Sequence, residues 1–204
     1  IRYVASKGKP ILMSTGMASE AEISEALEAA RSSGSNSILL FHCISSYPAP
    51  IEQSNLKKIL NLKNKFGVMV GLSDHTLGNT AAITAVALGA CAIEKHFTIN
   101  QALPGPDHKA SLEPKELKLM VKLIRNIEVA LGEPIKQASK SEIKNMAIVR
   151  KSIVAKNKIE IGEIFTKNNL TTKRPGTGIS PMKWDFVIGQ KASRVFDIDE
   201  LIVL

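Results

Sequence analysis

The chain has 204 residues, 44% of them apolar and 23% charged, which is an ordinary mix for a globular protein with its own core. No apolar run is long enough to form a membrane-spanning helix, so we expect no membrane partner. The formal net charge is +8, but the lysines are spread along helices and loops, and only 4% of residues are aromatic. This pattern argues against a nucleic-acid partner and favours a basic rim for an anionic small molecule.

Two cysteines, Cys43 and Cys91, lie inside apolar runs. Free cysteine behaves as a small hydrophobe, and disulfides are rare in reducing compartments. We therefore expect both to be reduced thiols in the core of a cytoplasmic protein. The chain begins at Ile1 and not at Met, which favours a fragment of a longer protein.

The first part of the chain predicts four strand–helix units in succession. The capping pair Ser19 and Glu22 opens the first helix, Gly34 ends it, and its apolar stripe begins at Ile23. Short apolar runs bounded by glycine or polar residues predict strands at 10–13, 37–41, 68–72 and 90–93. Alternating strands and helices indicate a parallel sheet, and four such units are half of a (β/α)₈ barrel.

Two of these strands run into a histidine that lies beside a carboxylate. The third strand leads to Asp74-His75, and the fourth leads to Glu94-Lys95-His96. The carboxyl ends of parallel strands meet at one edge of a sheet, where ligands bind. Two imidazoles there can hold a divalent metal, with the carboxylates as acid/base or supporting groups. The alternative is that each histidine caps its strand and bonds to the backbone.

The last part of the chain has a different texture. Residues 133–146 are polar and predict a linker, whereas residues 147–204 predict a small β-rich domain. Its expected strands are the short apolar runs at 152–155, 159–161 and 187–188. Its most chemical stretch is Arg174-Pro-Gly-Thr-Gly178, where a loop stiffened by proline carries a guanidinium that can bind a polar group through two hydrogen bonds. The alternative is a surface arginine on a turn.

Several motifs, in order along nearly the whole chain, resemble the sialic acid synthase family. They are Ser14-Thr-Gly-Met17, His42-Cys43, Tyr47-Pro-Ala-Pro50, Gly71-Leu-Ser-Asp-His-Thr76, Glu94-Lys-His-Phe-Thr98, Gly105-Pro-Asp-His-Lys-Ala-Ser-Leu-Glu-Pro114 and Arg174-Pro-Gly-Thr-Gly178. These enzymes condense phosphoenolpyruvate with an amino sugar. The resemblance implies α/β architecture: the second half, four βα units, of a TIM (β/α)₈ barrel in residues 1–132, then a small β-rich SAF (antifreeze-like, β-clip) domain in 147–204. It also implies a domain-swapped homodimer.

The chain has no segment that matches the first four βα units of the family. Those units carry an early acid and a lysine that grips phosphoenolpyruvate. The chain is therefore similar to the C-terminal part of such an enzyme, and we expect four further units upstream.

The resemblance also implies roles for individual residues. His75 and His96 match ligands of a divalent metal, Mn²⁺ or Mg²⁺, and Glu94 is the expected acid/base group beside His96. The hydroxyls of Ser14 and Ser73 match contacts with phosphoenolpyruvate. Tyr47 and Asp107 match positions that hold the hydroxyls of the sugar, and Arg174 matches an arginine that reaches its N-acetyl group. Ser45, which stands where some members of the family have an amide side chain, is a further substrate-binding candidate. His42 and His108 are weaker candidates, as a strand-end hydrogen bonder and a loop residue near the substrate.

The sequence thus predicts a nonulosonic acid synthase that makes N-acetylneuraminate from N-acetylmannosamine, phosphoenolpyruvate and water. A legionaminic acid synthase acting on a 6-deoxy diacetamido sugar is the close alternative. Two non-enzymatic alternatives are an inactive fragment that retains sugar binding, and a subunit that pairs with a separately encoded first half.

Overall fold

The computed structural model describes all 204 residues, and the chain divides into two compact units, Ile1–Glu133 and Pro134–Leu204. The first unit carries a four-stranded parallel sheet in the order β1-β2-β3-β4. Its strands are β1 (Ile11–Ser14), β2 (Ile38–Cys43), β3 (Met69–Asp74) and β4 (Ile93–Lys95). Its helices are α1 (Arg2–Ala5), α2 (Glu20–Arg31), α3 (Lys58–Phe66), α4 (Thr80–Ala87) and α5 (Pro114–Leu131). No helix of the chain has the length and apolarity needed to cross a membrane.

Local sequence signals fix where these helices begin and end. Ser19 caps α2 and forms the predicted capping box with Glu22, so the first backbone N–H groups of the helix are satisfied. Gly67 ends α3 in the left-handed conformation that glycine adopts without strain. Helices α2, α3 and α4 bury apolar residues against one face of the sheet, as Ile23 and Leu27 of α2 do, whereas α5 packs chiefly on α4.

The helix-covered face of the sheet forms the core of the first unit. Its fully buried members come from alternate positions of the strands and from the helices that pack on them. They include Ile11, Ile38, Leu40, Val70, Leu72, Ile23, Leu27, Ile59, Leu62, Ala81 and Ala85. The in-between positions of the strands point to the opposite face, which we call the open face and define by Ser14, Cys43, Ser73 and Glu94.

Glycine is needed at one point of the open face. A Cβ at Gly71 would lie 2.7 Å from a ring carbon of Phe41 and 2.7 Å from the carbonyl oxygen of Ala92. The Phe41 ring therefore lies across β3 at a distance that no other residue would permit. This packing fills the middle of the open face and leaves its carboxyl end for polar groups.

Three features of the first unit differ from the sequence prediction. Strands β2 and β3 extend to Cys43 and Asp74, which is two residues further than predicted, because the parallel ladder continues through the polar residues. Ala90–Ala92 are not strand residues, although Cys91 N–H and Ala92 C=O bond to β3. The predicted burial of Cys91 is wrong: Cys43 is buried, but Cys91 is exposed.

The second unit combines a helix with a small antiparallel ladder. Helix α6 (Lys140–Val149) begins at a capping box formed by Ser139 and Glu142. Strands β5 (Ser152–Ala155) and β6 (Leu170–Lys173) pair antiparallel, and α7 (Trp184–Val187) follows. The core includes Ile153, Ile159, Phe165, Leu170, Val187, Phe196 and Ile202.

Three sequence predictions about the second unit need revision. Residues 140–146, expected as linker, belong to α6, whose capping box gives a helix start that the polar composition concealed. Val187 and Ile188, expected as strand, lie in and just after α7, so their apolar pair serves a helical turn. Ile159 lies outside the named strands but forms an isolated antiparallel bridge with Phe196.

Candidate active site

The carboxyl ends of all four parallel strands converge on one cavity of about 580 Å³. Each strand brings one or more of the site residues predicted from the sequence to this rim. The predicted residues among its lining are Ser14, Ser45, Tyr47, Ser73, His75, Glu94 and His96. They meet because the strands are parallel and in register, with Cys43 opposite Ser73 and Ser73 opposite Glu94.

His75 is held in one orientation from several sides. Its Nδ1 lies 2.7 Å from the carbonyl oxygen of Ile44, so this nitrogen donates, and in the neutral ring the lone pair is on Nε2. Its own carbonyl accepts a hydrogen bond from Ala49 N–H. The Tyr47 ring covers the imidazole, with the two ring centroids 4.2 Å apart. His75 therefore presents a fixed acceptor nitrogen to the cavity.

Glu94 and Ser73 form the polar floor of the site on the open face. The Ser73 hydroxyl donates to Glu94 Oε1 at 2.5 Å and lies 3.3 Å from His75 Nε2. Ser73 is buried, whereas Glu94 is exposed to the cavity. A carboxylate that accepts from a buried hydroxyl has one oxygen held in place and the other available for a proton or a ligand.

His96 completes the arrangement from the end of β4. Its ring centroid lies 5.4 Å from those of both His75 and Tyr47, so the three rings form a cluster at the rim. Its Nδ1 lies 4.0 Å from Oδ2 of Asp107, an exposed residue of the loop after β4. The structure thus brings Asp107 next to the site, although Asp107 does not line the cavity itself.

These residues fit a divalent ion in a limited sense. The Ile44 carbonyl accepts from Nδ1 of His75, and a hydrogen bond of this kind orients a histidine ligand. The Asp107 carboxylate lies 4.0 Å from Nδ1 of His96, which is too far for a hydrogen bond. No three His, Cys, Asp or Glu side chains converge as a ready-made metal site. The chain therefore offers two neighbouring imidazoles, of which His75 is oriented by a hydrogen bond, and an ion held there would take its remaining ligands from elsewhere.

Arg174 belongs to the second unit, where its loop is held firmly. Its Nε donates to the carbonyl of Val149 at the end of α6, at 3.0 Å. The buried Ser152 hydroxyl donates to Pro175 O and accepts from Gly178 N–H, at 2.6 and 2.9 Å. The Arg174 side chain is exposed, so its terminal nitrogens are free to bind a ligand.

The sequence prediction missed some cavity residues. Thr15, Gly16, Met17, Cys43 and Glu22 also line it. All but Glu22 lie within motifs that carry the family resemblance, which was the available signal. Gly16 has its own geometric role: its N–H lies 3.1 Å from Cys43 Sγ, and a Cβ there would lie 3.0 Å from Ser45 Oγ.

The two weaker histidine candidates lie away from the cavity lining. His42 is buried on the helix-covered face, and its Nε2 bonds to the carbonyl of Ser54 at 2.7 Å. Burial lowers the pKa of His42, and the nearby Lys58 lowers it further, against the raising effect of the Ser54 carbonyl. His108 bonds through Nδ1 to the Thr98 hydroxyl at 2.8 Å. His42 is therefore the strand-end hydrogen bonder that the sequence predicts.

A parallel half-barrel whose strands end in a histidine- and carboxylate-bearing rim places its polar groups where barrel enzymes have their active sites. The comparisons with known proteins agree: the model of the NeuB family matches residues 1–136, and that of the SAF domain matches residues 150–203. The chain belongs to the NeuB family. The predicted fold class, half a TIM barrel followed by an SAF domain, is confirmed.

Individual relatives support the same assignment. The chain is 52% identical to N,N'-diacetyllegionaminic acid synthase of Campylobacter jejuni, over 99% of this chain and 61% of the relative. It is 41% identical to the enzyme of the same name from Legionella pneumophila, over 95% of this chain and 55% of the relative. A solved N-acetylneuraminic acid synthetase from Leptospira borgpetersenii is 37% identical over 71% of this chain and 50% of that one, with a TM-score of 0.65. The chain thus spans roughly three fifths of the length of the first of these relatives.

Proposed function

We propose that this chain is the catalytic rim and SAF domain of a nonulosonic acid synthase, which joins phosphoenolpyruvate to an N-acetylated amino sugar and releases phosphate. The observation that carries the proposal is the cluster of His75, His96, Tyr47, Ser73 and Glu94 at the carboxyl end of the half-barrel. Four further βα units would complete the barrel around it. We place the enzyme in the cytoplasm and expect it to be a domain-swapped homodimer.

The reaction is a carbon–carbon bond formation followed by hydration. C3 of phosphoenolpyruvate adds to the aldehyde carbon of the open-chain sugar, which leaves a cationic C2. Water adds to C2, and the resulting intermediate collapses by C–O cleavage with loss of phosphate. Glu94 is positioned to move a proton during these steps, because Ser73 holds one of its oxygens.

His75 and His96 would hold the divalent ion, Mn²⁺ or Mg²⁺. Such an ion supplies Lewis-acid polarisation of the sugar aldehyde. The hydroxyls of Ser14, Ser45 and Ser73 are suited to carboxylate and phosphate oxygens, which accept hydrogen bonds. Tyr47 and Asp107 are suited to sugar hydroxyls, and Arg174 to the acyl carbonyl of the N-acetyl group.

The first candidate sugar is N-acetylmannosamine, which gives N-acetylneuraminate. The second is a 6-deoxy diacetamido sugar, which gives a legionaminic acid, the product named for the relatives from Campylobacter jejuni and Legionella pneumophila. A site built for a hydroxyl rejects an analogue that lacks it far more strongly than an apolar pocket rejects an added hydroxyl.

The proposal is tested by comparing kcat/KM for the two sugars. The assay contains protein that carries all eight βα units, together with phosphoenolpyruvate and Mn²⁺. We expect sugar-dependent phosphate release with one sugar preferred at least tenfold, and at least a hundredfold loss in Glu94→Gln. Glu113→Gln, a carboxylate that caps α5, is the control and should retain activity. Absence of sugar-dependent phosphate release with either sugar would contradict the proposal.

A further inference from the structure

A charged pair lies buried directly behind the two rim histidines, and the chemistry proposed above does not use it. Lys95 Nζ lies 2.8 Å from Asp74 Oδ2, and the two side chains are only 3% and 1% exposed. Each residue immediately precedes a histidine, Asp74 before His75 and Lys95 before His96. Because side chains alternate along a strand, the pair lies on the helix-covered face while the histidines face the rim.

The pair is part of a closed network of hydrogen bonds. Lys95 Nζ also donates to the backbone carbonyl of Thr76, at 2.6 Å. The other carboxylate oxygen of Asp74 accepts from Thr76 N–H at 2.8 Å and from the Thr76 hydroxyl at 2.7 Å. The ammonium of β4 is thus bonded to the residues on both sides of His75.

A buried ion pair is weak evidence for a stability role. Apolar residues of similar volume often replace such pairs with no loss of stability, because desolvation of the two charges opposes their attraction. The pair does, however, join β4 to the residues on both sides of His75. The backbone pairing of β3 with β4 ends at Asp74 and Lys95, so His75 and His96 lie one residue beyond the last pair of the ladder. The hydrogen bonds of Lys95 to Asp74 and to Thr76 extend the connection between the two strands past that last pair.

We propose that Asp74, Thr76 and Lys95 are positioning residues that fix the separation of the His75 and His96 imidazoles, which is 5.4 Å between ring centroids. This inference rests on the proposed role of the two histidines as ligands of a divalent ion. Supporting groups of this kind around metal ligands change metal affinity by about 10–100-fold when they are removed. The network therefore sets the affinity of the rim for a divalent ion.

The test measures Mn²⁺ affinity by electron paramagnetic resonance, in the absence of both substrates, on the polypeptide that carries the whole barrel. The double variant Asp74→Asn/Lys95→Met removes both charges together, so that no uncompensated charge stays buried. The asparagine retains an oxygen that can accept from Thr76, and the methionine retains most of the length of the lysine side chain. We expect it to fold, as judged by circular dichroism, and to bind Mn²⁺ 10–100-fold more weakly than wild type. Hydrogen exchange over residues 74–77 should also accelerate.

Thr76→Val is a milder second variant, since it removes only the hydroxyl bond to Asp74, and it should weaken Mn²⁺ binding several-fold. Thr166→Val is the matched control, because the Thr166 hydroxyl makes the same kind of bond to Asn169 Oδ1 in the second unit, at 3.1 Å. The control should bind Mn²⁺ as wild type does. If the double variant does not fold, Thr76→Val decides the question.

His75→Ala separates failure of this inference from failure of the proposed function. If His75→Ala abolishes Mn²⁺ binding while folded Asp74→Asn/Lys95→Met and Thr76→Val bind as wild type, the positioning role is wrong and the metal site stands. If His75→Ala itself binds Mn²⁺ with wild-type affinity, both the metal site and the positioning role are wrong.

Discussion

At the scale of single residues, His42 shows how a histidine next to an active site can be structural. It lies in β2 one residue before Cys43, which lines the cavity, but its own side chain points to the helix-covered face and bonds to Ser54. Its buried, neutral ring is one reason why the rim has only two histidines available for a ligand. The distinction depends on which face of the strand a residue occupies.

His42 makes the stability of the fold depend on pH. Its folded-state pKa is lowered, chiefly by burial, so the folded protein resists protonation of the ring while the unfolded chain accepts a proton near pH 6.5. The contribution is therefore present above that pH and is lost as the pH falls through and below it. We expect the urea midpoint to fall between pH 7.5 and 5.5, and to fall less in His42→Gln. Equal pH dependence in the two proteins would contradict this account.

The positions of residues at the rim were predictable where a motif carried them. The pairs Asp74-His75 and Glu94-Lys95-His96 marked the carboxyl ends of two strands, and the structure brings both histidines to one cavity. The sequence could not show that Asp74 faces away from the cavity and pairs with Lys95, because a two-residue period assigns faces only when the strand bounds are known. The burial of Cys91 was overestimated for the same reason.

At the scale of elements, the loop that carries Arg174 is held by contacts within the second unit. Gly176 N–H bonds to Ala147 O of α6, and a Cβ at Gly176 would lie 2.5 Å from Arg150 Cβ. Together with the two Ser152 bonds, these contacts give the loop a defined path between α6 and β5. Helix α6, most of which the sequence predicted as linker, thus helps to hold the loop that carries Arg174.

Removal of the Ser152 hydroxyl should loosen this loop. Ser152→Ala removes the buried hydroxyl that binds both the Pro175 carbonyl and the Gly178 N–H, and the loss of two hydrogen bonds at about 0.5–1.5 kcal/mol each costs about 1–3 kcal/mol. Urea unfolding of the wild type and the variant measures this loss. Ser180→Ala is the control, since the exposed Ser180 hydroxyl caps only a short turn. If Ser152→Ala lowers the free energy of unfolding no more than the control does, the Ser152 hydroxyl does not stabilise the loop.

Elements with strong local signals were predictable, whereas those set by context were not. Helix α2 has a clear apolar stripe and capping residues, and it appears where the sequence indicates. Val187 and Ile188 were ambiguous, because a two-residue apolar run fits a strand and a helical turn equally well. The core of the second unit decides in favour of α7, where Val187 is fully buried.

At the scale of the whole molecule, the parallel sheet has two edge strands, β1 and β4. The open face also exposes apolar side chains, since Leu12 and Met69 are 63% and 57% exposed. Unpaired strand edges with apolar neighbours are templates for aggregation. We therefore expect the 204-residue chain expressed alone to aggregate or to lack a cooperative melting transition. A monodisperse chain that melts cooperatively would show that the sheet is self-sufficient.

The proposed dimer makes a prediction about Arg174. If the SAF domain of one subunit completes the site of the other, full-length Arg174→Ala has a much reduced kcat/KM and His75→Ala lacks activity, but a mixed dimer contains one intact site. We expect partial activity to return on mixing, and a raised sugar KM for residual activity of Arg174→Ala alone. Lys173→Ala, which removes a neighbouring surface ion pair with Asp199, is the control. No return of activity after proven subunit exchange would place Arg174 outside the partner's site.

The central claim, condensation with loss of phosphate by C–O cleavage, is tested most directly by one isotope measurement. Full-length protein is incubated with Mn²⁺, the preferred sugar and phosphoenolpyruvate that carries ¹⁸O in its bridging oxygen, and both products are analysed by mass spectrometry. The account predicts that phosphate release requires the sugar and that the label leaves entirely with the phosphate. Label retained in the sugar acid, or labelled phosphate released at the same rate without sugar, would contradict it.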